Sequence, residues 1–151
     1  MTLQLEKLKQ SSLYELEQLY AENTKLVTPV GIYRGHWLKR IDSPENRYPK
    51  TWGSRPFEYV PFGIDFTNNR WFFYTTIFQI GKFRSEIHQS RWRSAMVVGL
   101  HYESSQLPGF IRNLLYDEVK PLSETLCLGI GGFNRDKGEG DHFFFALERC
   151  S

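Results

Sequence analysis

Residues 31–38 read GIYRGHWL. In an extended chain, Ile32, Arg34, His36 and Leu38 fall on one face and Tyr33, Gly35, Trp37 and Lys39 on the other. Large rings alternating with glycine and charge at period two mark a β-strand with one packed face, and a bulge at Gly35 would exchange the faces beyond it. The same alternation returns in KFRSEIHQ (82–89), where Lys82, Arg84, Glu86 and His88 oppose Phe83, Ser85, Ile87 and Gln89. Short runs of this kind, broken by Gly, Pro, Asn and Asp, predict strands over 31–40, 71–79, 82–90, 94–103, 114–120, 124–132 and 141–149. A short strand or helix is expected near 57–66. The segments IDSPENRYPKTWGSRP (41–56) and SSQLPGF (104–110) read as irregular connections. Seven or eight such strands predict a mainly β fold and suit a closed barrel or a sandwich; an antiparallel barrel, which closes on itself and leaves no open ladder edge, is favoured.

The chain begins differently. Ser12 and Glu15 in SLYE have capping-box spacing, with Leu13, Leu16, Leu19 and Tyr20 following at helical intervals. Leu3, Leu5 and Leu8 suit an earlier turn or short helix, and Thr28 and Pro29 stop the pattern. The 151 residues suit one domain, in which residues 1–27 form a helical segment lying over an end or flank of a 31–149 barrel.

Nineteen basic and 17 acidic residues leave a net charge of +2 without a basic stripe, so neither nucleic acid nor an anionic membrane surface is an expected partner. No 18-residue apolar run and no signal-peptide core occur, and two cysteines, Cys127 and Cys150, do not make a disulfide framework. A cytoplasmic protein is expected, with a second copy of the chain the one macromolecular partner left open. Aromatic residues reach 16%. So many rigid rings suit a small hydrophobic or aromatic molecule as ligand.

Gly31, Tyr33 and Gly35, together with the closing run HFFFALER (142–149) and its Arg149, resemble the calycin superfamily of lipocalin-like barrels. That resemblance implies an arginine on the last strand packed across the aromatic ring of the first, closing one end. The chain is also similar to bacterial proteins known by a Gly-x-Trp-x-Gly motif, through Ala95–Val97, Leu128–Gly129 and the FFFALER tail. It departs from them at Tyr33, where their motif has tryptophan.

No catalytic signature is present, and none of His36, His88, His101 and His142 has the spacing to a second ligand that marks a metal site. No cofactor is expected. The favoured function is a ligand-binding barrel whose walls include Trp37, Trp71, Phe73, Phe83, Trp92, Met96, Tyr102 and Phe144, with Arg34, Arg84, His88, His101 and Tyr102 orienting a polar end and His36 a further ligand-binding residue. A cofactor-free cyclase or isomerase in the same cavity is the alternative, with His88, His101, Tyr102 or Glu118 moving a proton. A heme-binding barrel, after the nitrobindin-like branch, is third. Asp117 and Glu118 are adjacent, so only one of them can face inward, partnered there by an arginine such as Arg34, Arg84, Arg112 or Arg149. The glycines of LGIGGF (128–133) fit a sharply bent strand rather than a phosphate loop.

Overall fold

A computed structural model describes residues 2–22, 25–41, 59–74, 79–112, 115–132 and 142–150. Their strands are β1 (Ile32–Ile41), β2 (Phe62–Asp65), β3 (Arg70–Phe73), β4 (Gln79–Lys82), β5 (Arg84–Gln89), β6 (Met96–His101), β7 (Tyr116–Pro121), β8 (Leu126–Gly132) and β9 (His142–Arg149). All pairings are antiparallel. The sheet order is β4-β3-β2-β1-β9-β8-β7-β6-β5. Every strand but one therefore lies beside its successor in sequence, the break falling between β4 and β5, and the last strand returns to the first. The two edge strands, β4 and β5, are separated only by Phe83, whose N–H donates to the Asn69 carbonyl at 2.9 Å. The result is a nearly closed meander barrel with its seam at that residue.

The sequence expected one strand over 71–79; the structure divides it into β3 and the start of β4, which pair with each other. The segment near 57–66 contains β2. Its turn into β3 is built on Asp65, which accepts from the backbone N–H groups of Thr67 at 3.0 Å and Asn68 at 3.1 Å. The bulge of β1 falls at Leu38 rather than Gly35, so Trp37 pairs with Phe145 and Lys39 with Phe144. Lys39 consequently leaves the face of Tyr33 and Trp37. The irregular crossing at 104–110 runs into a short helix, Gly109–Arg112. Most of the 41–56 connection, and the turn expected around Lys137 and Gly138, lie outside the described residues.

One apolar cluster fills the barrel, drawing on Tyr33, Phe62, Ile64, Trp71, Phe83, Leu100, Val119, Cys127, Phe143, Phe145 and Leu147. Its construction explains the glycines. A Cβ on Gly35 would run into the ring of Phe62 on the adjacent β2, and one on Gly129 into Phe145 across on β9. Gly81, at φ 70°, lies against Trp71 in the same way. Pairing a strand glycine with a cross-strand ring covers the bare backbone and lets the ring lie low in the lumen. Cys127 sits among these rings, its thiol pushed up to about 12 by burial.

A second cluster lies outside the barrel. Two helices, α1 (Thr2–Gln10) and α2 (Leu13–Ala21), cover the outer face of the sheet with Leu5, Leu8, Leu16 and Tyr20 against Leu128, Ile130, Phe144 and Ala146. The Ser12–Glu15 capping box is present: the Glu15 N–H donates to Ser12 Oγ at 3.1 Å, and the Ser12 N–H to Glu15 Oε2 at 2.7 Å. α2 ends at Ala21, well before Thr28 and Pro29, and residues 25–30 run on as irregular chain.

Glu118, fully buried on this outer face, holds α2 in place. Its carboxylate accepts from the Tyr20 hydroxyl at 2.8 Å, the Tyr116 hydroxyl at 2.8 Å, the Arg91 N–H at 3.2 Å and the Ser90 hydroxyl. Lys120 donates to the Tyr20 carbonyl at 2.8 Å and to that of Glu22. Arg93 grips Glu17 through both Nε and Nη2, at 2.7 and 2.6 Å. A buried carboxylate with four donors is satisfied, so removing it strands several polar groups at once.

Gly129→Ala should cost about 1–3 kcal/mol in urea unfolding, because the added methyl meets the Phe145 ring, and Phe145→Leu in the same chain should recover part of the loss. Glu118→Ala should cost about 3 kcal/mol or more, the worth of two charge-assisted hydrogen bonds at about 1.5 kcal/mol each, with Glu118→Gln less damaging. An unfolding midpoint unchanged by Glu118→Ala would remove the carboxylate from the account of how α2 is held.

Candidate functional site

The alternation of β7 turns Asp117 into the barrel and Glu118 out toward α2. Asp117 joins Phe62, Ile64, Trp71, Tyr102, Phe143 and Phe145 around one small interior space. The Tyr102 hydroxyl donates to Asp117 Oδ2. Gly131, beside Asp117 on β8, leaves room for this carboxyl: a Cβ there would lie 2.5 Å from Oδ1. The surrounding rings deprive Asp117 of water and raise its pKa to about 6 from 3.8, against the opposing pull of hydrogen bonds from Tyr102 and the Gly132 backbone. Tyr102 is likewise raised, by burial first and then by the charge of Asp117.

The interior space measures about 20 Å³. That is room for about one water molecule, not for an organic guest. The hollow lumen expected from the sequence is therefore, among the described residues, a lumen closely filled by its own rings. Trp37 and Phe73, half-buried, pack at the margin of this interior, Trp37 stacked on Phe143 at 4.9 Å and Phe73 edge-on to Trp71 at 5.0 Å.

Of the residues singled out in sequence, Trp37, Trp71, Phe73, Phe83 and Tyr102 belong to this interior. The others do not. Trp92 and Phe144 pack in the outer cluster, against Tyr116 and Tyr20 respectively. Met96 is exposed, and Arg84 lies on the outer face, paired with Glu86 at 2.7 Å and Glu103 at 2.8 Å. Arg34 and His36 also face outward on β1; His36 approaches Glu148 at 3.4 Å, and burial lowers its pKa. His88 and His101 meet each other outside the barrel, Nε2 to Nε2 at 2.8 Å. Glu118 is committed to α2. None of the histidines at 36, 88 and 101 thus offers a proximal heme ligand to the lumen, and the His142 side chain lies outside the description.

Sequence reasoning raised Asp117 but placed Glu118 among the proton-transfer candidates. The partner it expected for an inward carboxylate, an arginine, is replaced by the phenol of Tyr102. The calycin resemblance implies an arginine packed across the aromatic ring of the first strand. Arg149 pairs with Tyr33 across the strands and lies over Gly31, where a Cβ would come within 3.3 Å of its Nε. The Tyr33 hydroxyl meanwhile donates to the Glu124 carbonyl at 3.1 Å.

No described helix is long and apolar enough to cross a membrane. No family model matches the sequence, and no curated protein matches it either. Among solved structures, a protein from Thermomonospora curvata is similar in fold, with a TM-score of 0.51 over 99% of this chain and 95% of that one, at 14% identity. At that identity the likeness speaks for the barrel alone.

Proposed function

We propose that the chain is a calycin-type barrel that binds a small, largely aromatic or apolar molecule, with Tyr102 and Asp117 meeting its one polar group. The observation that carries this reading is the carboxyl of Asp117 among rings. An ionisable group in such surroundings costs stability, and a hydrophobic side chain of similar size would fill the place more cheaply. Perturbed acids of this kind concentrate at binding and reacting sites. The meander topology, with the last strand returned to the first, is that of up-and-down ligand-binding barrels. Because only about one water fits beside Asp117, a ligand enters by displacing Trp37 and Phe73, the half-buried rings at the margin.

A second reading, a cofactor-free cyclase or isomerase, draws on the same residue. A carboxyl with a pKa near 6 can both take and return a proton close to neutral pH. On that reading Asp117→Asn retains binding and loses turnover.

Quenching of the lumen tryptophans by a panel of aromatic alcohols and acids tests binding. Saturable quenching that Tyr102→Phe and Asp117→Asn each weaken about tenfold is expected, the worth of one hydrogen bond of about 1.4 kcal/mol. Absence of saturable binding, or binding indifferent to both changes, would overturn the proposal.

The pH dependence has a defined sign. The folded state holds the Asp117 proton up to about 6 while the unfolded chain releases it near 3.8, so ionisation destabilises the fold as pH rises through that window. The stability difference between the wild type and Asp117→Asn should therefore move against the wild type between those two pH values and level off above. A difference that is constant with pH would contradict the raised pKa.

A further inference from the structure

His88 and His101 stand on neighbouring strands but are not paired in register. His88 lies opposite Val97 and His101 opposite Arg84, with Glu86 and Gly99 as the pair between them. Each imidazole therefore reaches over Gly99 from a different side. A Cβ on Gly99 would collide with the Nε2 edge of His88 and come within 3.1 Å of His101 Nε2. The two Nε2 atoms meet 2.8 Å apart, with Tyr116 lying beneath both rings at 6.2 and 5.4 Å between centroids.

The other nitrogen of His88 decides the chemistry. Its Nδ1 lies 2.8 Å from the Gln89 carbonyl oxygen, which can only accept, so Nδ1 carries the hydrogen. Nε2 of His88 is thereby left with a lone pair directed at His101. A backbone carbonyl holding the distal N–H is the arrangement that orients metal-ligating histidines.

We propose that His88 and His101 form a two-histidine site on the outer face of the barrel for a divalent transition-metal ion of the imidazole-preferring class, nickel, copper or zinc. At metal–nitrogen distances of about 2.0–2.1 Å, two ligands subtending a right angle stand about 2.9 Å apart and two at the tetrahedral angle about 3.3 Å. The 2.8 Å separation reaches that range by small rotations of two rings with no Cβ between them. His101 shifts its hydrogen from Nε2 to Nδ1, so both lone pairs face the ion. No group of three protein ligands gathers among the described residues, so water completes the coordination. A metal here would bridge β5, an edge strand at the seam, to β6.

Calorimetric titration of tag-free protein with nickel and zinc chlorides tests the site, with thermal unfolding as a second readout. The wild type should bind one equivalent, and its unfolding temperature should rise with added metal. His88→Ala and His101→Ala should each weaken binding by about tenfold or more and abolish the thermal shift while remaining folded by circular dichroism. His36→Ala should leave both readouts unchanged. No binding by the wild type, or binding that survives both the His88 and His101 substitutions, would overturn the proposal.

Discussion

In the lumen, rings from one strand lie over glycines of the strand beside it: Phe62 over Gly35, Trp71 over Gly81 and Phe145 over Gly129. The rest of the architecture depends on this arrangement. A barrel of short strands encloses little volume, and rings as large as these fit only where the facing position has no side chain. Glycine weakens a strand when its backbone is left bare, and the overlying ring offsets that weakness with buried apolar contact. The opening GIYRGHWL segment is one instance, its Gly35 supplying the space that Phe62 occupies.

A lumen filled in this way sets the chemistry of what remains inside. Asp117 has the phenol of Tyr102 as its principal side-chain partner and room for about one water, and the absence of bulk solvent raises its pKa. At the very next residue the same strand presents different carboxylate chemistry. Glu118, one position on, points outward and receives four donors, which makes it a structural anchor for α2. Adjacent acids thus divide into a reactive candidate and a clamp because strand alternation sends them to opposite sides of one sheet.

Much of the fold was legible in the sequence. The capping box at Ser12 and Glu15 located α2, and the alternation of KFRSEIHQ located β5. What the sequence left open was which face of the central strands looks inward. β7, β8 and β9 are covered by rings on one side and by helices on the other, so LCLGI and FFFAL read as continuous apolar runs with no polar face to orient them. For that reason the sequence does not separate Phe144 from the lumen walls, and in YDEVKP alternation parts Asp117 from Glu118 without showing which of them faces inward. The meeting of His88 and His101 was hidden for a different reason: it requires the register of β5 against β6 and the missing side chain of Gly99, neither of which spacing along the chain reveals. The departure of Lys39 from the inner face follows from a bulge at Leu38, three residues beyond the glycine where a bulge was anticipated.

Ring-over-glycine packing keeps water from the carboxyl of Asp117 inside a nearly closed barrel. The side-chain carboxyl carbon of Asp117, followed by NMR in selectively labelled protein across the acid range, reads that environment directly. A titration midpoint near 6 is the expected result. A midpoint at or below 3.8, the ordinary value for a solvated aspartate, would mean that solvent reaches the lumen freely and would contradict the filled interior described here.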